Sequence, residues 1–105
     1  MRVSELLERT MRLLGANGKN WLNRCPVRSE ACDDGLYCTL TAIAEAGRLG
    51  NADSGTITKA VVIIEEIISN SSVSVSVPRW NDSASWEDVR YTFRKAQKIA
   101  QVMER

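Results

Sequence analysis

Residues 85–103 read SWEDVRYTFRKAQKIAQVM, and this stretch decides the fold class of the chain. Ser85 and Asp88 have the spacing of a capping box, in which each side chain bonds the other residue's backbone N–H at a helix start. Apolar side chains then recur every four or three residues, at Val89, Phe93, Ala96, Ala100 and Met103. This spacing places them along one face of a helix, which we expect to face the core or another helix. The basic residues Arg90 and Arg94 fall on the other face.

Three more helices are predicted upstream of this stretch. The first covers about residues 4–14, because Ser4 is a good N-cap residue and Gly15 can close the C-terminus of the helix. The second covers about residues 36–47. The third covers about residues 57–68 and is apolar almost all the way round, so we expect it to be central. These four helices predict a mainly α, compact fold in which residues 1–105 form a single domain.

Two segments of the sequence do not fit a helix. Residues 23–35 are predicted to form a long irregular loop, because they contain Pro26 and end in the turn signal Asp33-Asp34-Gly35. Residues 72–78 alternate serine and valine up to Pro78, a pattern typical of a short extended segment. Since a strand needs a partner, this segment would pair with an irregular stretch or with a second subunit.

The composition is that of an ordinary globular domain, and it excludes several classes of function. Of the 105 residues, 44% are hydrophobic and 26% are charged, and the formal net charge is +1. Because this balance is not strongly basic, a nucleic-acid partner is not expected. The most apolar run is interrupted by Glu65 and Glu66, so no membrane span is expected. The N-terminus lacks the uninterrupted apolar region of a signal peptide, which predicts a cytoplasmic protein.

The sequence shows no catalytic or metal-binding set. The absence of histidine excludes Ser-His-Asp and Cys-His catalysis and every histidine-ligated metal site. The spacing of Cys25, Cys32 and Cys38 does not match paired zinc ligands. Cys38 lies at a predicted helix start, where a thiol can be activated, but a small buried hydrophobe is the simpler interpretation. We therefore expect no enzyme activity, no cofactor and no metal.

The most unusual group of residues combines aromatic and polar side chains around Trp80-Asn81-Asp82. In one interpretation, Asn81 and Asp82 satisfy free backbone N–H groups before the last helix, while Trp80 packs inward. In the other, aromatic walls enclose a pocket with an amide and a carboxylate at its mouth, which would suit a planar polar ligand or a partner side chain.

The basic residues of the last helix also allow two interpretations. Arg90 and Arg94 either form a solvated face, which is the simpler reading, or belong to a stripe that contacts phosphates. The candidate residues for binding a ligand or partner are Trp21, Tyr37, Arg79, Trp80, Asn81, Asp82, Arg90 and Arg94.

Several motifs follow one another in a characteristic order: a tryptophan after the first helix, Gly-x-Tyr-Cys-x-x-x-Ala, Trp-Asn-Asp, and a helix with valine and alanine in its seam. This order resembles a family of small uncharacterised proteins of actinobacteria, other bacteria and phages. The matching residues, which span about 6–100, are Leu13-Leu14, Trp21, Gly35, Tyr37-Cys38, Ala42, Trp80-Asn81-Asp82, Val89 and Ala96. Thr41 departs from the family pattern, which usually has glycine there. The resemblance implies a compact, mainly helical domain and supplies no established activity.

The leading functional hypothesis is a non-enzymatic module that binds another protein, with a homodimer as one form of that binding. Because the resembling proteins occur in phages, inhibition of a host defence protein by a phage or mobile element is the expected role. The alternative is a small-molecule or nucleotide binder, or sponge, with an aromatic pocket near Trp80-Asn81-Asp82. A third hypothesis is an enzyme with Cys38 as the nucleophile, for which the chain offers no histidine base.

Overall fold

Helices make up most of the described chain, as the sequence predicts. The computed structural model describes residues 1–22, 37–69 and 76–104. Its helices are α1 (Val3–Leu14), a 3-10 turn (Ala16–Gly18), α2 (Thr39–Leu49), α3 (Ser54–Ile68), α4 (Val77–Ser83) and α5 (Trp86–Met103). The mainly α fold is confirmed, but these ranges contain five α-helices where four are predicted. The predicted loop at 23–35 lies outside the described residues.

The hydrophobic core lies between α1, α2, α3 and α5. Helix α1 packs against the other three, and α3 contacts each of the other four α-helices. Of α3, however, only Ala60, Ile63 and Ile64 are buried and Val62 is exposed, so α3 is less enclosed than its apolar sequence predicts. The largest fully buried apolar side chains are Leu6, Leu7, Leu14, Ile43, Ile64, Val77, Val89 and Phe93. Burial of each of these side chains contributes roughly 2 kcal/mol to folding before the entropy of ordering is counted.

Polar side chains determine where α3 and α5 begin. Asp88 N donates to Ser85 Oγ at 3.2 Å, and Ser85 N donates to Asp88 Oδ2 at 3.1 Å, so the predicted capping box is present. Thr56 N donates to Asp53 Oδ1 at 2.7 Å, and this cap starts α3 at Ser54, before the predicted start at residue 57.

Helix α4 occupies the end of the segment that is predicted to be extended. Ser76 has extended backbone angles, but Val77 and Pro78 form the first turn of the helix, so the prediction is wrong for these two residues. Residues 72–75 lie outside the described part of the chain. Proline fits a first helical turn because its missing N–H has no intrahelical partner there. Val77 is buried, so the helix places it in the core.

Within 1–22, 37–69 and 76–104, none of the helices combines the length and the apolar character needed to cross a bilayer.

Candidate functional site

Asn81 of α4 is fully buried, and its side-chain amide joins separate parts of the chain. Its Oδ1 accepts a hydrogen bond from Trp21 Nε1 at 2.8 Å and another from Thr39 N at 3.0 Å. Its Nδ2 donates to the carbonyl oxygen of Leu22 at 2.9 Å. A primary amide offers both acceptor and donor groups, which is why asparagine can satisfy all of these partners at once. The buried amide is therefore a structural junction.

The helical geometry of α4 explains why Asn81 points inward. Val77 and Asn81 are one turn apart and both are buried, whereas Arg79 and Asp82 lie on the exposed side of the same helix. Trp80 is half-buried and packs against the hydrophobic core. The Trp80-Asn81-Asp82 stretch thus places its amide inside the protein and its carboxylate outside.

Trp21 and Tyr37 are brought together by an isolated parallel β-bridge, the one β pairing within the described ranges. Leu22 N donates to Tyr37 O, and Tyr37 N donates to Asn20 O, both at 2.7 Å. The bridge holds the residues after α1 beside the start of α2, where Asn81 reaches both. Of the predicted binding residues, the structure therefore assembles Trp21, Tyr37 and Asn81 in one place.

The predicted capping role of Asn81 is correct in kind but wrong in place. The amide satisfies a free N–H at the start of α2, through Thr39, instead of one before α5. The start of α5 is capped by Ser85. One hydroxyl beside this junction is unsatisfied: Thr39 Oγ1 is buried and has no hydrogen-bond partner within the described part of the chain.

Trp86 connects the junction to a groove on the surface between α1 and α5. Its indole lies 5.8 Å from that of Trp21, centroid to centroid, at an interplanar angle of 46°. On another side it contacts Gly18, where an added Cβ would lie 2.5 Å from Trp86 Cδ2. The groove has a volume of about 430 Å³ and is lined by Glu8, Met11, Arg12, Gly15, Ala16, Asn17, Trp86, Arg90, Arg94 and Gln97.

The charged groups of this groove differ in how they are paired. Arg12 forms an ion pair with Glu8 at 2.7 Å, and Arg90 forms one with Glu87 at 2.9 Å. Arg94 is exposed and forms no ion pair with any described residue. The predicted residues Arg90 and Arg94 thus lie together in the groove, away from Arg79 and Asp82 on α4.

A separate surface runs along the outermost side of α5. Tyr91, Lys95, Lys98 and Val102 follow one another at helical spacing, and all four are exposed. Ile99 and Met103 lie next to the end of this stripe, where Lys98, Ile99, Val102 and Met103 surround a shallow apolar depression. We call Tyr91, Lys95, Lys98, Ile99, Val102 and Met103 the α5 outer face.

Cys38 is buried at the start of α2, as the simpler interpretation predicts. Its Sγ accepts a hydrogen bond from Thr41 N at 3.5 Å, so the thiol caps the helix, which begins at Thr39 and not near residue 36. Within 1–22, 37–69 and 76–104, His, Cys, Asp and Glu side chains form no group of three or more that could hold a metal ion. Cys25 and Cys32 lie outside these ranges.

Comparison with protein-family models, with curated proteins and with solved structures finds no match for this chain.

The sequence carries no prediction for Tyr91 and Val102 of the α5 outer face, and the prediction that Met103 belongs to the core-facing seam is wrong, because Met103 ends α5 and is 65% exposed. The helical wheel of α5 contains the signal, since Tyr91 and Val102 fall opposite the seam that begins at Val89. The groove had no comparable signal, because its two sides come from helices at opposite ends of the chain.

Proposed function

We propose that this protein is a non-enzymatic module that binds another protein through the α5 outer face. The observation that supports it is the exposure of large apolar side chains on one helix: Tyr91 is 65% exposed, Val102 62% and Met103 65%. Contiguous exposed apolar surface, unlike isolated exposed residues, marks a site of interaction. Val102 and Met103 adjoin Ile99, and together they form such a surface at the end of α5.

The charges around this apolar surface indicate the chemistry of the partner. Lys95 and Lys98 are exposed, and neither forms an ion pair with the residues that the structure describes. No aspartate or glutamate occurs between Val89 and Met103. A partner with an apolar cleft and an acidic rim would complement this face in both respects, in the helix-in-groove manner.

The identity of the partner is also a proposal. The resemblance to proteins found in phages suggests a host protein of the bacterial cytoplasm, in particular a defence component that binding would inhibit. The alternative, a ligand pocket at Trp80-Asn81-Asp82, has less support, because both polar atoms of the Asn81 side chain already bond the chain. A homodimer remains a prediction, although Val77, part of the valine pattern that suggests it, is buried within the chain.

The test compares the wild type with the double variant Val102→Gln/Met103→Gln. The matched control is Leu49→Gln, because Leu49 is a similarly exposed apolar residue, 57% accessible, on α2. Proteins captured from a bacterial lysate by the wild type and by Leu49→Gln, but not by the double variant, are purified and titrated. We expect a dissociation constant about tenfold or more weaker for the double variant, and weaker wild-type binding at higher salt.

Two outcomes would contradict this proposal. If the captured proteins bind the double variant as tightly as the wild type, the α5 outer face takes no part in the interaction. A dimer in solution that dissociates in the double variant would show that a second copy of the chain covers this face. Light scattering detects the second outcome, because it compares the mass in solution with the monomer mass of 11.7 kDa.

A further inference from the structure

We propose that the groove between α1 and α5 binds a small ligand in which a planar aromatic ring is joined to a phosphate, of the size of a mononucleotide. The groove lies on the α1 side of α5, beside the α5 outer face but not on it. Its volume of about 430 Å³ falls within the range of small-molecule sites.

Trp86 provides the aromatic side of the proposed site. The ring is half-buried, so part of it stays accessible within the groove. It is held by Trp21, at a centroid distance of 5.8 Å, and by the close approach of Gly18. An aromatic ring that is already fixed in place can stack with a ligand ring without first losing side-chain freedom.

Guanidinium groups provide the phosphate-binding side. Arg90 and Arg94 follow Trp86 at intervals of four residues and so lie on the same side of α5, while Arg12 reaches the groove from α1. The lining holds these three guanidiniums and a single carboxylate, that of Glu8. Guanidinium matches phosphate geometry with paired hydrogen bonds, which makes an anionic ligand the expected one.

The existing ion pairs leave these arginines available. Arg12 is paired with Glu8 and Arg90 with Glu87, but both pairs are exposed and single, and such pairs are weak in water. Arg94 forms no ion pair with the residues described. Arg94 is therefore the residue whose removal tests the site with the least disturbance of the fold.

The experiment titrates the wild-type protein with AMP, GMP, CMP and UMP by calorimetry, with adenosine and inorganic phosphate as partial ligands. We expect at least one monophosphate to bind below about 1 mM and more tightly than either partial ligand. Arg94→Gln should weaken this binding about tenfold, because it removes a phosphate contact. Lys95→Gln removes the same charge from the neighbouring position on the α5 outer face, and it should change the affinity less than about twofold.

Three outcomes would overturn the site. In the first, none of the monophosphates binds at about 1 mM. In the second, Lys95→Gln weakens binding as much as Arg94→Gln, which would mean non-specific attraction to the charge of α5. In the third, adenosine binds as tightly as AMP, so the arginines take no part. The variant Trp86→Phe, with its fold checked by circular dichroism, should still bind, because a smaller aromatic ring keeps the stacking surface.

Discussion

At the scale of single residues, Asn81 joins segments of the chain that are far from it in sequence, which the neighbouring residues do not predict. It holds Trp21 and Leu22, after the first helix, beside Thr39 at the start of α2. Both polar atoms of its side chain are hydrogen-bonded inside the protein, in keeping with the rule that buried polar groups are hydrogen-bonded. The amide therefore stabilises the fold and fixes the position of Trp21, whose ring in turn contacts Trp86.

The variant Asn81→Leu should lower the free energy of unfolding by about 3 kcal/mol. Leucine has a similar volume but leaves the N–H groups of Trp21 and Thr39 and the carbonyl of Leu22 without their partner. Urea unfolding followed by circular dichroism measures the change.

Two further variants test whether the loss of stability comes from the hydrogen bonds of Asn81. Arg79→Ala alters an exposed residue of the same helix and should change the stability by no more than about 0.5 kcal/mol. Thr39→Val removes a buried hydroxyl that bonds no described group, and should raise the stability by about 1 kcal/mol. A loss for Thr39→Val, or no loss for Asn81→Leu, would contradict this account of the junction.

At the scale of elements, the turn after α1 decides where the aromatic residues meet. Gly15 and Gly18 have φ of +84° and +70°, in the left-handed region that favours glycine, and Asn17 is close by at 62°. These backbone angles form a turn that reverses the direction of the chain, and Trp21 N donates to Gly18 O at 2.9 Å. The turn thus places Trp21 against Trp86, which is the aromatic residue that lines the groove.

The variant Gly18→Ala should lower the free energy of unfolding by about 3 kcal/mol. It adds a Cβ at 2.5 Å from Trp86 Cδ2 and at a backbone conformation that alanine disfavours, so either the turn or the indole must move. Thermal unfolding measures the loss, and near-UV circular dichroism reports the displaced tryptophan.

Gly55→Ala is the control for this prediction. Gly55 lies in the first turn of α3, is exposed, and would bring its Cβ no closer than 3.4 Å to Asp53 Oδ1. Alanine is the better helix former, so this variant should gain up to about 1 kcal/mol. Equal losses at the two glycines would argue against the contact between Gly18 and Trp86.

At the scale of the whole molecule, the first and last helices are joined by Glu104. Its Oε1 accepts from Ser4 N at 2.9 Å and its Oε2 accepts from Ser4 Oγ at 2.7 Å. Desolvation by itself raises the pKa of Glu104, but the hydrogen bonds from Ser4 and the nearby charge of Arg2 outweigh it and hold the pKa below 4.5. The carboxylate caps α1 from the far end of the chain.

This contact makes stability depend on pH in one direction. A carboxyl group whose pKa is lower in the folded state contributes fully above its unfolded pKa, and the contribution is lost as the pH falls through the folded pKa. The stability of the wild type relative to Glu104→Gln should therefore decrease as the pH is lowered from about 4.5, and stay constant above about 6. Urea unfolding across this pH range measures the difference.

Glu66→Gln, which neutralises an exposed carboxylate on α3, is the charge-matched control. A Glu104→Gln profile that parallels the wild type down to about pH 3 would mean that the Ser4 contact contributes nothing in solution.

What can be predicted from the sequence is limited by the distance over which residues interact along the chain. The start of α5 at Ser85 is predicted correctly because the capping box and the apolar seam are contained within a few turns. The extended prediction for Val77 and Pro78 fails because alternation describes only the local pattern, whereas burial of Val77 and Asn81 on one side favours a helix.

The sequence by itself determined the mainly helical class, the seam of α5 from Val89 to Ala100 and the absence of histidine chemistry, because each of these follows from neighbouring residues or from composition. Only the tertiary structure decided the role of Asn81, whose partners lie 42 to 60 residues away. The groove is likewise a tertiary feature, since α1 and α5 come from the two ends of the chain. Contacts at such separations depend on how the helices pack, and no spacing in the sequence records that packing.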